Sequence, residues 1–245
     1  MNNLRACWRL LRVLGHILKG LTIVAVRFPA LSSDQQYARV QAWAMRLLAH
    51  AGISLRIIGT PPVTGPVVLV ANHLSWLDIP VMHAARHCRF ISKSDVQAWP
   101  VIGTLANAAG TLYIERNSRR DALRMVRSMH EALERGDVLA VFPEGTTGDG
   151  RTMLPFHANL LQAAVTADAF VQPVGLQFVD KASGTPSFAP SYMGDETLVG
   201  SIWRTLRAPA IEAVVHYGVP EQAGGRDRRA WTQHLHATVD RLRKG

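Results

Sequence analysis

The chain has only two cysteines, Cys7 and Cys88. That is too few for a disulfide framework or a four-thiolate zinc site, so free thiols in a reducing compartment are expected. Charge is also sparse: Asp, Glu, Lys and Arg make up 18% of the 245 residues, against about a quarter in an average soluble domain. Mean hydropathy is +0.06, which points to a surface that meets something less polar than water. Acidic residues are outnumbered 18 to 27 by basic ones, for a net charge of +9 and a pI near 10.4. Such a balance favours an anionic partner: nucleic acid, acidic lipid or a phosphorylated substrate. There is no Gly-x-Ser-x-Gly elbow, which removes the usual signature of a serine hydrolase. No repeat and no low-complexity linker interrupts the chain. A spanning helix needs ~20 mostly apolar residues. Residues 13–31 have the length, but His16, Lys19 and Arg27 interrupt them, so a single span remains only an alternative for the N-terminus.

What is present begins with a basic stripe. Arg5, Arg9, Arg12, His16 and Lys19 recur every three or four residues, and on a helix they form one row. Leu4, Trp8, Leu11, Leu14, Leu18 and Leu21 cover much of the rest. A helix of this kind suits an anionic membrane surface; an ordinary amphipathic helix on the protein's own core is the competing account. A second helix is predicted over 34–51, with Ser33 or Asp34 as cap and Gly52 after its end.

Beyond Gly52, strands and helices alternate. Strands are predicted over 53–58, 67–70, 90–92, 110–114, 138–142, 170–179 and 211–216. Helices are predicted from Ser118 or Asp121 to Gly136 and over 155–166, 196–206 and 226–243. Pro173 within the strand 170–179 suggests an edge position or a strand start. This pattern predicts one α/β domain over 52–245 behind a helical element over 1–51.

Three polar clusters occupy equivalent places in that pattern. Residues 72–78 follow one strand, Glu115 and Arg116 follow another, and Pro143, Glu144, Gly145 and Thr146 follow a third. If the strands are parallel, all three lie at the carboxyl edge of one sheet, where α/β sheets bind ligands. His73 can take a proton from a hydroxyl near neutral pH, and Asp78, five residues on, can orient its imidazole. Arg116 offers a planar fork of donors suited to phosphate. Gly145 and Thr146 can present a backbone N–H or a hydroxyl to an anion. Glu144 is expected to fix Arg116 or to accept from a substrate hydroxyl. Among ten histidines, an Asp five residues later arises by chance in roughly a third to a half of such chains. The weight therefore falls on the convergence.

These residues resemble the phospholipid/glycerol acyltransferase family, particularly lysophosphatidic acid acyltransferases. Asn72-His73-Leu74-Ser75-Trp76-Leu77-Asp78 is similar to its Asn-His-x-Ser-x-x-Asp block. The Gly-led stretch from Gly110 to Arg116 resembles its second block, and Phe142-Pro143-Glu144-Gly145-Thr146 matches its third. Val171-Gln172-Pro173-Val174 resembles the fourth. The resemblance implies the glycerol-phosphate acyltransferase fold, a mixed, largely parallel sheet flanked by helices, with an N-terminal two-helix membrane element. It implies acyl transfer from acyl-CoA or acyl-carrier protein to the hydroxyl of a lysolipid, with no cofactor and no metal. His73 would be the base and Asp78 its support, with Asn72 and Ser75 supporting the block. Arg116, Glu144, Gly145 and Thr146 would hold the acceptor, and Pro173 and Val174 would contribute to acyl-donor binding. The place implied is the cytoplasmic face of a bacterial inner membrane. Two departures bear on the acceptor. Where many members carry a basic residue after the third block, this chain has Thr147-Gly148-Asp149-Gly150-Arg151, and Phe156 is followed by His157 rather than Lys. Lysophosphatidic acid is the first expectation, and another lysolipid such as lyso-ornithine lipid stays open.

Other readings are weaker. Ser75 as a nucleophile sits too close in sequence to His73 for good geometry. His83, His87 and Cys88 lack a spacing that would add a further metal ligand. A nucleic-acid module would rest on Arg226, Arg228, Arg229, Arg241, Arg243 and Lys244 without any accompanying motif.

Overall fold

The computed structural model describes residues 2–114 and 119–245, apart from the side chains of 119 and 122. Helix α1 (Asn2–Val26) and helix α2 (Ser33–Ala51) form a hairpin at the N-terminus. The cap of α2 is Ser32, one residue before Ser33 and two before Asp34, the expected caps. Its hydroxyl accepts from Gln35 N, and the Gln35 side chain accepts in return from Ser32 N. This reciprocal capping needs a residue three positions on that can reach back, and Gln35 supplies it. Gly52 closes α2 in the left-handed conformation, as expected.

A seven-stranded sheet follows. Its strands are β1 (Ile53–Ile58), β2 (Val67–Ala71), β3 (Arg89–Lys93), β4 (Leu112–Ile114), β5 (Val138–Val141), β6 (Phe170–Asp180) and β7 (Ile211–Tyr217). The spatial order is β1-β7-β6-β2-β5-β3-β4, and every pairing is parallel except β6 with β7. The helices between the strands are α3 (Asp78–Ala85), α4 (Ile102–Ala108), α5 (Arg119–Glu134), α6 (Gln162–Thr166) and α7 (Leu198–Arg207), and α8 (Arg228–Leu242) ends the chain.

The alternation of side chains along the central strands divides the core in two. Val67, Leu69 and Ala71 of β2 join Val138 and Ala140 of β5 on one face. Val68, Val70, Leu139 and Val141 point to the other. The first face is covered by the hairpin, through Ala6, Ala44 and Leu48, and by α3 and α7. The second is covered by α5, through Met125, Met129 and Leu133, and by Trp231, Leu235 and Val239 of α8. Such three-layer burial explains why β2 and β5 read as unbroken apolar runs.

Three expectations change. Pro173 is neither at an edge nor at a strand start, since β6 lies between β2 and β7. The Pro173 carbonyl accepts from Gly218 N. Its missing N–H thus falls on the β7 side, just beyond the last β6–β7 pair, Val174 with Tyr217. Residues 155–157 are not helical; only a short 3₁₀ turn, Ala158–Leu161, leads into α6. Gly110 lies in the turn after α4, at φ 78°, so β4 begins at Leu112. The expected helix start at Ser118 lies outside the described residues.

Helix α1 sorts its charges differently from the predicted row. Arg9 turns inward and donates to the carbonyls of Leu206 and Ala208 at 3.0 and 2.9 Å. His16 is buried against Trp43, ring on ring at 5.1 Å, with Nε2 2.9 Å from the Trp43 carbonyl oxygen. The outward surface carries Leu4, Trp8, Leu11, Leu14 and Leu18, with Arg5, Arg12 and Lys19 also exposed. Among the described residues no helix, α1 included, is long and apolar enough to cross a membrane.

Candidate active site

The buried strand β2 delivers the chain to the carboxyl edge of the sheet, where Asn72 continues the ladder with its side chain. Its amide Nδ2 donates to Leu176 O at 3.0 Å, and its Oδ1 accepts from Leu176 N at 2.7 Å. Two hydrogen bonds to one residue of β6 fix where β2 ends and where His73 begins.

The turn that follows is organised by Asp78, fully buried at the first position of α3. One oxygen, Oδ2, accepts from Leu74 N at 2.6 Å and Ser75 N at 2.8 Å, and lies 2.8 Å from His73 Nδ1. A carboxylate only accepts, so this pairing puts a proton on Nδ1 and leaves a lone pair on Nε2. The helix N-terminus favours the negative charge placed there. The His73 side chain is 18% exposed, against 0% for Asp78. The ring can therefore meet a ligand while its carboxylate partner is shielded from water. Phe142 stacks on the imidazole at 4.0 Å and 5°, and Phe90 stacks on Phe142 at 5.5 Å.

Glu144 has a use that the sequence did not suggest. Its Oε1 accepts from His73 N at 2.7 Å and its Oε2 from Leu154 N at 2.8 Å. Burial raises its carboxyl above the usual range, and the two backbone donors pull in the opposite direction. The side chain thus ties the third cluster to the first. The second tie is Gly148 N, which donates to the His73 carbonyl at 2.9 Å. Gly145 stands at φ 74°, a conformation that glycine adopts without steric cost. Its N–H closes a turn on Phe142 O at 3.1 Å, so that N–H is not free for an anion as expected. The Thr146 side chain is exposed.

Ser75 is fully buried; its hydroxyl donates to Pro190 O and accepts from Leu77 N at 3.1 Å. A hydroxyl held twice and closed off from solvent is structural, which removes the nucleophile reading. Pro173 and Val174 lie inside the sheet rather than on an open wall, and Val174 pairs with Ala71, directly before Asn72. Gln172 is buried beside them, its amide donating to Thr60 O and Gly218 O at 2.9 and 2.8 Å. Arg116 and Glu115 lie outside the described residues, although β4, which precedes them, runs parallel to β3.

Several bracing residues carried no sequence signal. Tyr192 N donates to Leu74 O at 3.2 Å, and Trp76 Nε1 donates to Ser201 Oγ at 3.1 Å. These contacts join positions more than a hundred residues apart, which no local pattern reveals. His83 and His87, outside the site, are buried core groups. His83 and His87 stack at 5.2 Å, and burial pushes their imidazoles down to about 3 and about 4. Among the described residues no group of three or more His, Cys, Asp or Glu could hold a metal ion. Of the C-terminal basic residues, Arg226 pairs with Glu221 at 3.1 Å, and Asp240 takes both Arg243 and Lys244 at 2.7 and 2.6 Å.

A His–Asp pair at the carboxyl edge of a mixed α/β sheet, on an Asn-His-x-Ser-x-x-Asp turn clamped by the glutamate of Phe-Pro-Glu-Gly-Thr, defines a class of acyl-transfer enzyme. A family model described as Acyltransferase matches residues 54–177, just over half of the 245 residues, and the chain belongs to that family. It is 35% identical over 234 residues to a lyso-ornithine lipid O-acyltransferase of Pseudomonas aeruginosa, covering 93% of this chain and 89% of that protein. It is 37% identical over 195 residues to a 1-acyl-sn-glycerol-3-phosphate acyltransferase of Neisseria gonorrhoeae, covering 78% and 75%. The fold is similar to the crystal structure of the 1-acyl-sn-glycerophosphate (LPA) acyltransferase of Thermotoga maritima, with a TM-score of 0.66, 18% identity and 96% of each chain covered.

Proposed function

We propose that this enzyme transfers an acyl group from acyl-CoA or acyl-carrier protein to the free hydroxyl of a lysolipid, 1-acyl-sn-glycerol 3-phosphate first among them. The observation that carries the reading is the 2.8 Å pairing of His73 Nδ1 with a buried Asp78, which leaves Nε2, on a partly exposed ring, without a partner among the described residues. In the proposed reaction Nε2 takes the proton of the acceptor hydroxyl while the oxygen attacks the thioester carbonyl. Asp78 stabilises the imidazolium that forms. The tetrahedral intermediate collapses with cleavage of the C–S bond, and the thiolate leaves with the proton from Nε2. No covalent acyl-enzyme is needed.

Glu144 acts here as a positioning residue, since both its oxygens hold backbone on either side of the site. Asn72 and Ser75 act in the same way, through β6 and through Pro190. Arg116 is assigned to the acceptor's phosphate, and Thr146 to the rim of the same subsite. Arg116→Ala should raise the acceptor KM with little change in kcat; an unchanged acceptor KM removes Arg116 from that role.

Lyso-ornithine lipid is the second reading. It is favoured by the 93% coverage of the match to the Pseudomonas aeruginosa relative and by the absence of a basic residue directly after Thr146. A panel of lysophosphatidic acid, glycerol 3-phosphate and lyso-ornithine lipid, each with one labelled acyl donor, tests both. Transfer to none of the three, with either donor type, sinks the proposal.

The membrane is the proposed working surface. The apolar outward face of α1, accompanied by Arg5, Arg12 and Lys19, suits a helix lying in an anionic lipid interface, and the cytoplasmic face of the inner membrane is the place assigned to it.

A further inference from the structure

Beside the His73 turn lies a cavity of about 280 Å³, with Leu74 in its wall. Leu176 and Phe178, on the stretch of β6 that runs past the end of β2, and Phe188 complete an apolar lining. Set in that lining are the polar side chains of Arg151 and Gln177. Among the described residues neither the Arg151 guanidinium nor the Gln177 amide makes a hydrogen bond or an ion pair. An apolar pocket with a few convergent polar groups is the usual form of a ligand site.

Arg151 is held ready at this cavity. Asp149 Oδ1 accepts from Arg151 N at 2.8 Å and from Thr152 N at 2.9 Å, closing a tight turn. The buried Arg243 donates to the carbonyls of Gly150 and Arg151 at 2.9 and 3.1 Å and so pins the loop from below. The guanidinium itself lies over the Phe188 ring, 5.1 Å from its centroid, which orients the fork without occupying its donors. Of the three cations lining the cavity, Arg243 and Lys244 already share Asp240. Among the described residues, Arg151 is the one of these three cations left for a ligand.

We propose that this cavity binds an anionic group, phosphate or carboxylate, belonging to one of the two substrates, with Arg151 as its specificity-determining contact and Gln177 beside it. The inference rests on the acyl-transfer reading, because the cavity adjoins the turn that carries His73. The positive charge missing directly after Thr146 is supplied five residues later, on a loop that folds back toward the same turn. The anion has two sources, the head group of the lysolipid acceptor and the phosphates of the acyl donor.

Steady-state kinetics with the full-length enzyme separate them, each substrate being varied at saturation of the other. Arg151→Gln should raise the KM for lysophosphatidic acid or that for acyl-CoA about tenfold, with kcat within about twofold, the loss expected for one charged hydrogen-bonding contact. Arg151→Lys should recover most of it. A rise confined to the acceptor names the head group, and a rise confined to the donor names its phosphates. Both KM values unchanged in Arg151→Gln and in Gln177→Leu overturns the proposal, as does a loss confined to kcat. If wild-type enzyme transfers no acyl group at all, the functional reading fails separately. Calorimetric titration with CoA and with lysophosphatidic acid micelles then decides the cavity, and equal affinities for wild type and Arg151→Gln overturn it.

Discussion

Asp78 holds the turn and its histidine through a single oxygen. Three nitrogens converge on Oδ2, while Oδ1 is buried with no partner among the described residues. Asp78→Asn keeps the size of the side chain but removes the charge that steadies an imidazolium. It should lower kcat by about 10²–10⁴-fold at a nearly unchanged thermal midpoint. A variant within about twofold of wild-type turnover would contradict the orienting role. His73→Ala should abolish transfer and leave the circular dichroism spectrum intact, because the ring contributes stacking and one hydrogen bond at a partly exposed position. His73 and Asp78 were legible as a pair from their spacing. Glu144 was legible as a site residue but not in its use, because its partners are backbone amides of His73 and Leu154, and spacing says nothing about those.

At the scale of elements, α1 shows how a helix face can be read correctly in composition and only partly in orientation. Its outward apolar residues include Leu4 at 80%, Leu11 at 64% and Leu18 at 65% exposure. These values are too high for a helix serving only its own core. Replacing Leu11 and Leu18 together by Asp should reduce sedimentation with anionic vesicles by an order of magnitude or more, while transfer to an acceptor in detergent micelles is retained. Unaltered vesicle binding would mean that another surface holds the membrane. Arg9→Ala should behave differently and lower the thermal midpoint, because its guanidinium caps the end of α7 through Leu206 O and Ala208 O. The sequence put Arg9 and His16 in one row with Arg5, Arg12 and Lys19. Periodicity finds the row, but only the position of α2 and α7 decides which of its members turn inward.

For the whole molecule, stability should depend on acid through the buried pair of His83, within α3, and His87, just after it. His83 and His87 are neutral in the folded protein, with values near 3 and 4, far below the 6.5 of an exposed imidazole. A depressed folded value means that the unfolded chain takes up these protons first. The stabilising contribution is therefore complete above pH 6.5 and is lost as pH falls from 6.5 toward 4. Both histidines act in the same direction within that window, each destabilising the folded state as pH falls. The thermal midpoint should fall between pH 7 and pH 5, and His83→Leu should flatten that fall. An equal fall in wild type and variant would show that other groups carry the acid sensitivity. The fold around this pair was largely legible: the strand–helix alternation, the parallel central sheet and the polar clusters at the ends of β2 and β5 follow from apolar runs and turn residues. The interior place of Pro173 was not, because it depends on where a strand forty residues later stops pairing.

The sequence by itself determined the class of chemistry and the kind of fold. A histidine and a carboxylate five residues apart, a Phe-Pro-Glu-Gly-Thr turn and buried strands in alternation with helices are local patterns, and local patterns survive without coordinates. Tertiary structure alone decided how the pieces meet. Glu144 spans from the third cluster to the first, Phe142 stacks on the imidazole, Ser75 is locked under Pro190, and Arg151 folds back beside Leu74. Each of these contacts joins segments distant in sequence. Its energy depends on a distance and an angle that only the packed sheet edge sets.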